Sequence, residues 1–127
     1  MGMPQPKKLE QNHHNAMLDG LKTIQSIKIL NGISQIIRRI KNPIIIEGHT
    51  DDVPVKPNRM IRSNWDLGYY RAAAVAQNFI SNGVSPNQLG ITSYGEFRPI
   101  ETTKTHYARK KNRRIEVSII RLKKKQK

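Results

Sequence analysis

The sequence predicts an α+β fold, a split βαβ unit in which two main helices pack on one face of a small mixed sheet. Three observations lead there. Between Leu21 and Ile40 the residues Ile29, Ile33, Ile36, Ile37 and Ile40 recur at steps of three and four, which gives a helix one apolar face. Ile44-Ile45-Ile46 is a short continuous apolar run, the pattern of a strand buried on both faces. Ile115, Val117 and Ile119 alternate with Glu116, Ser118 and Ile120, the pattern of a strand with one face towards a core. A chain of 127 residues holds one domain built on one substantial core.

Residues 1–20 carry no apolar periodicity and include Pro4, Pro6, Lys7, Lys8, His13 and His14. They read as a disordered or degenerate segment, with neither a signal peptide nor a membrane anchor. The helix that follows stops because Pro43 cannot continue it. The Ile44-Ile45-Ile46 strand ends at Gly48 beside His49-Thr50-Asp51-Asp52, which places Asp51 at the strand's C-terminal end. Val53 to Arg62, with Pro54 and Pro57, is an exposed loop. Ser63 or Asn64 as N-cap, Asp66 in the first turn and Gly83 after Asn82 bracket a helix from Trp65 to Asn82. Its apolar stripe is Gly68, Ala72, Val75 and Phe79, and Arg71 lies at the edge of that stripe, half turned towards the core.

Val84 to Leu89 then form a turn around Pro86 and Asn87, and Gly90 to Tyr94 a strand that Gly95 closes. Glu96 to Thr105 is a loop with Pro99, and Tyr107 to Arg113 a short helical turn before the last strand. The domain thus spans 21–121, followed by a basic tail at 122–127.

Charge is unevenly spread. The 23 Lys and Arg against 9 Asp and Glu give +14, of which the segment from Lys104 onward, with Glu116 as its single acid, supplies +10. Such a segment is a solvated tail plus a basic edge strand, or meets an acidic partner: nucleic acid, an anionic membrane surface or the bacterial cell wall. The absence of cysteine excludes disulfides, thiolate chemistry and cysteine-based zinc sites. No Ser/His/Asp arrangement at plausible spacing, no glycine-rich phosphate loop and no opposed carboxylate pair points to catalysis. The aromatic residues are not interleaved with basic ones on a strand, which argues against a nucleic-acid binder.

The informative constellation is Asp51 at a strand end and Arg71 on the following helix. Fixed charges of opposite sign suit a ligand that carries both an ammonium and a carboxylate, while a structural salt bridge capping the strand is the alternative. His49 with Asp51 and Asp52 lacks a third convergent ligand, so no metal is expected. Trp65 reads as an anchor packing the long loop rather than as a platform for a sugar. Arg113 and Arg114 alternate sides, so one of them faces the site.

These residues resemble the OmpA-like peptidoglycan-binding domain and, within it, the C-terminal domain of flagellar stator proteins of the MotB type. Five ordered blocks carry the likeness: Gly48-His49-Thr50-Asp51; Leu67, Arg71-Ala72 and Val75; Gly83-Val84-Ser85-Pro86-Asn87-Gln88-Leu89; Tyr94-Gly95-Glu96-Phe97-Arg98-Pro99; and Asn112-Arg113-Arg114-Ile115-Glu116-Val117. Asp51 and Arg71 stand twenty positions apart, further than in the porin-type members, as in stator proteins and the wall anchors of type VI secretion.

The resemblance implies a non-catalytic module without cofactor, located in the periplasm or cell envelope. Asp51 and Arg71 would clamp the diaminopimelate of the peptidoglycan stem peptide, with Thr50, Asn64 and Arg113 or Arg114 around them. A second copy and a stator subunit are the further partners it implies, and nucleic acid is not expected. Another OmpA-like envelope protein, or a basic nucleic-acid binder, is the alternative. The family's first strand has no counterpart in residues 1–20, so the expectation is an N-terminally truncated relative. Gly68 stands where the family has a serine, and Ala108 where it has a glycine.

Overall fold

The computed structural model describes residues 24–122 of the chain. The expectations for residues 1–20, for a missing first strand and for the tail beyond residue 122 fall outside the described residues. Helix α1 spans Ile24–Ile37, strand β1 Ile44–His49, helix α2 Asn64–Ser81, strand β2 Leu89–Gly95, helix α3 His106–Asn112 and strand β3 Arg114–Ile119, with a single 3-10 turn at Pro86–Gln88. The strands lie in the order β2-β1-β3, with β1 parallel to β2 and antiparallel to β3. A parallel pair needs a crossover and α2 supplies it, whereas β3 returns beside β1 from the opposite direction.

Caps set the limits of α2. The Ser63 hydroxyl accepts a bond from the Asp66 amide, and the Asp66 carboxylate accepts one at 2.8 Å from the Arg62 amide, so two otherwise orphaned donors are satisfied. At the far end Gly83 takes φ +94°, the Gly83 amide donates to Ile80 O and the Val84 amide to Phe79 O, each at 3.0 Å. That double bond pattern after a left-handed glycine ends a helix cleanly, and it folds Val84 onto Phe79 inside the core.

The core joins Ile37 of α1, Ile44 and Ile46 of β1, Ala72, Val75, Ala76 and Phe79 of α2, and Val84. Both main helices therefore lie on one face of the sheet, as expected. Two sequence expectations need correction. Only Ile44 and Ile46 of the apolar run are fully buried while Ile45 is partly exposed, because no helix among the described residues covers the second face of β1. In α1 the packed residues are Leu30, Ile33 and Ile37, whereas Ile29 and Ile36 face water. The two faces share Ile33 and Ile37 in the periodicity and differ by a small rotation, which the position of α2 decides.

The α1 helix also ends three residues earlier than the periodicity suggests. Arg39 and Ile40 bond back to Ile36 and Ile37 at 3.2 Å, a tightened last turn. The Gln88 amide then donates to Ile40 O at 2.7 Å and Asn42 O at 3.0 Å, tying the helix exit to the turn before β2.

The closest approach of helix to sheet occurs where β1 ends. A Cβ at Gly48 would sit 1.8 Å from the Gly68 carbonyl oxygen, and a Cβ at Gly68 would sit 2.4 Å from Ser93 Oγ. The two backbones touch directly, and a side chain at Gly68 would collide with Ser93 Oγ. The same contact fixes the distance between the strand end that bears Asp51 and the helix that bears Arg71.

Candidate functional site

The last residues of β1 and the loop after it are held from several sides. Thr50 is buried, its amide donates to Gly95 O at 2.9 Å, and its hydroxyl donates to Asp51 O at 2.9 Å. Asn64 is not the N-cap. It is buried at the start of α2, where its side-chain amide donates to Asp51 O at 3.3 Å and Val53 O at 3.2 Å, so the helix grips the loop it follows. Its Oδ1 is buried without a partner among the described residues.

The Asp51 carboxylate accepts from the Val53 amide at 3.0 Å and from Arg113 Nη1 at 2.8 Å. The direct partner of Asp51 is thus Arg113, and no ion pair closes between Asp51 and Arg71. Arg71 is half-buried and, among the described residues, its guanidinium makes no hydrogen bond or ion pair. Burial pushes its pKa below the usual arginine value; the nearby Asp51 charge opposes that shift and the Arg113 charge adds to it. The arrangement is a triangle of Asp51, Arg113 and Arg71 in which, among the described residues, one cation is already paired and the other is free.

Arg114 points elsewhere. Its register partner is His49, and its guanidinium donates to Glu116 at 2.8 Å, Arg98 O at 2.9 Å and Asn112 O at 3.2 Å. The structure therefore brings Asp51, Thr50, Asn64 and Arg113 together beside Arg71, and leaves Arg114 outside the group. Strand alternation carried that distinction, but only the pairing of β3 with β1 reveals which of the two arginines shares a face with His49.

His49 is also placed differently from the sequence expectation. It lies away from Asp51 and Asp52, with Nε2 3.2 Å from Glu116 Oε2 and 3.4 Å from Glu47 Oε2, and its ring stacked 5.5 Å from Tyr94. These three side chains offer metal-ligand atoms within 4.8 Å of one another. Arg114 donates to the same Glu116 oxygen, so a cation already sits where a metal would need to bind. Among the described residues His49 Nδ1 has no acceptor for the proton that a metal-bound imidazole would carry. The Arg114–Glu116 ion pair is set beside the buried His49, where β3 meets the end of β1.

Asp52 belongs to a second network that sequence reasoning missed, because its partners lie more than fifty residues away. Lys104 Nζ lies 2.7 Å and Arg109 Nε 3.0 Å from its carboxylate oxygens. Their hydrogen bonds bring its pKa down to about 2 from an ordinary 3.8. A carboxylate with a depressed folded-state pKa contributes stability that is complete above its unfolded pKa and is lost as pH falls through the folded one. The protection of amides in the 96–105 loop and α3, taken relative to the intrinsic exchange rate at each pH, is expected to stay constant above about pH 4 and to fall between about pH 4 and 2. Asp52→Asn is expected to be less protected throughout and to show no step in that window. Asn112 completes the anchoring, accepting from the Ile100 and Glu101 amides and donating to Glu101 O at distances of 2.9 to 3.1 Å.

The sequence matches the OmpA family over residues 20–113. It is 36% identical over 100 residues to motility protein B of Bacillus subtilis, covering 76% of this chain and 37% of that protein. It is 32% identical over 93 residues to the peptidoglycan-associated lipoprotein of Pseudomonas putida, covering 73% of this chain and 53% of that one. The C-terminal domain of Helicobacter pylori MotB superimposes with a TM-score of 0.73 at 31% identity, covering 80% of this chain and 77% of that domain. The chain thus spans about a third to a half of the length of these curated relatives and most of the solved domain. An α+β module whose parallel β1-α2-β2 unit carries an aspartate at the strand end and an arginine on the crossover helix is, with this match over most of its length, a member of the OmpA family.

Proposed function

We propose that the chain is a non-catalytic peptidoglycan-binding module of a MotB-like flagellar motor stator protein, which anchors to the cell wall through the diaminopimelate of the stem peptide. The observation that carries this reading is the half-buried Arg71 guanidinium, unpaired among the described residues, next to an Asp51 carboxylate held by Arg113. A desolvated arginine without an acceptor favours a ligand carboxylate, which would meet its planar donors in pairs. The ligand ammonium would then meet Asp51, while Arg113 keeps the local charge one unit positive in favour of an acidic peptide.

The names of the relatives, a motility protein and a peptidoglycan-associated lipoprotein, support the same ligand class. Each charge-assisted bond is worth about 1.5 to 3 kcal/mol net, so a single clamp binds modestly and repeated attachment along a polymer raises the hold. The compartment that follows is the periplasm or cell envelope. No helix among the described residues is long and apolar enough to cross a membrane. A second copy of the chain and a stator subunit would be its further partners.

Co-sedimentation with purified sacculi tests the proposal. The wild type is expected to pellet with the wall, and Asp51→Ala and Arg71→Ala to remain in the supernatant. Pelleting of both variants at the wild-type level would remove the assigned site.

A further inference from the structure

Trp65 was expected to pack the long loop, but the structure leaves it 48% exposed, stacked at 5.3 Å and 29° on Phe97, which is itself 62% exposed. Two large aromatic rings held together in water present a flat apolar surface that a packing role does not require. The pair is built into the fold. Gly95 takes φ +57°, the Phe97 amide closes a turn onto Tyr94 O at 3.1 Å, and a Cβ at Gly95 would lie 3.3 Å from the Trp65 amide nitrogen. The turn after β2 therefore folds directly over the first turn of α2, and Ser93 Oγ donates to Trp65 O at 2.7 Å to lock the two.

The pair also adjoins the clamp. Trp65 follows Asn64, whose amide holds Asp51 O, and the Gly95 carbonyl accepts from Thr50. A groove lined by Asp52, Phe97, Pro99, Glu101 and Lys104 continues from the aromatic pair to the neighbour of Asp51. We infer that Trp65 and Phe97 form a subsite for a pyranose ring of the glycan strand, beside the peptide clamp. This rests on the wall-binding reading above.

The chemistry fits carbohydrate. A stem peptide held at Asp51 and Arg71 remains covalently attached to a sugar, so a second contact close to the clamp meets the glycan. One face of a pyranose presents C–H groups of positive polarity, and the negative face of an aromatic ring attracts them. The surrounding Asp52, Glu101 and Lys104 supply hydrogen-bonding groups of both signs for the sugar's hydroxyls and amide.

Trp65 is the one tryptophan of the chain, so its emission reports the site directly. Peptide-free glycan strands, released from sacculi with an amidase, are expected to shift the emission of the wild type saturably; no shift would overturn the subsite. Trp65→Ala and Phe97→Ala are expected to bind intact sacculi about tenfold more weakly, a change worth one well-formed aromatic stack, and to bind the soluble stem peptide as the wild type does. Equal loss towards sacculi and peptide would make the pair a prop for the clamp, and wild-type binding of sacculi by both variants would leave it without a role; either result overturns the inference. Failure of the clamp itself reads differently, as unchanged sedimentation of Asp51→Ala while the glycan still shifts the Trp65 emission.

Discussion

Replacing Gly48 by alanine is expected to destabilise the domain by about 3 kcal/mol or more, at the upper end of what overpacking costs. The added methyl would meet the Gly68 carbonyl oxygen at 1.8 Å, its carbon at 2.4 Å and its Cα at 2.9 Å. All three are backbone atoms in the first turns of a capped helix, so no side chain can rotate away to relieve the contact. The strand and helix must separate, and that separation opens the core between Ile46 and the Ala72 to Val75 face of α2. A loss of this size lowers the midpoint of thermal unfolding by more than about 12 °C in a domain of this length.

Function should fall with it, because Gly48 lies three residues before Asp51 and its contact sets the spacing between Asp51 and Arg71. Gly32 is the matching control. A Cβ there meets nothing within 4 Å, and the residue lies inside α1, so Gly32→Ala is expected to raise stability by about 0.5 to 1 kcal/mol. Thermal or denaturant unfolding of the two variants measures both effects. A Gly48→Ala protein with a wild-type midpoint would contradict the packing.

Arg71→Met is expected to weaken binding to sacculi by about tenfold to a hundredfold while leaving the unfolding midpoint unchanged or higher. The binding loss is that of one charge-assisted carboxylate contact, about 1.5 to 3 kcal/mol. The stability expectation follows from the free protein. The guanidinium is half-buried, has no acceptor among the described residues and lies near the like charge of Arg113, which together push its pKa down. Methionine keeps an unbranched apolar stem like that of arginine along the stripe edge while removing a desolvated charge. Asp51 keeps its Arg113 partner, so no carboxylate is orphaned. A binding isotherm beside a denaturation curve separates the two properties. Loss of both together would place Arg71 in the scaffold instead of the site, whereas function held at the expense of stability marks a ligand contact.

Much of the fold was legible because its signals are local. The Ser63 cap, the Gly83 stop and the Ala72, Val75, Phe79 stripe each depend on residues within one or two turns, and each is where periodicity and capping rules put it. The position of Asp51 at the end of β1 followed in the same way from an apolar run broken by a glycine. Misreadings came where a neighbour far along the chain decides. Ile29 and Ile36 belong to a helical period, yet the rotation of α1 against α2 leaves them in water. Ile45 belongs to an apolar run, yet no helix among the described residues covers the face it occupies.

The sequence alone determined the elements, their order and the pair of residue types at the site, since strand and helix formation respond to patterns a few residues long. It also carried the family, through five short blocks in a fixed order. Only the tertiary structure decided which charges meet. Asp51 pairs with Arg113 across 62 residues and Asp52 with Arg109 across 57, and no periodicity reaches that far. That Arg71 is the cation left free among the described residues, that Arg114 serves the opposite face, and that Trp65 stacks on Phe97 follow from the register of β3 on β1 and from the turn at Gly95. Coulomb attraction and packing act between whatever groups the fold brings within a few ångströms, so they belong to the assembled molecule and not to the order of its residues.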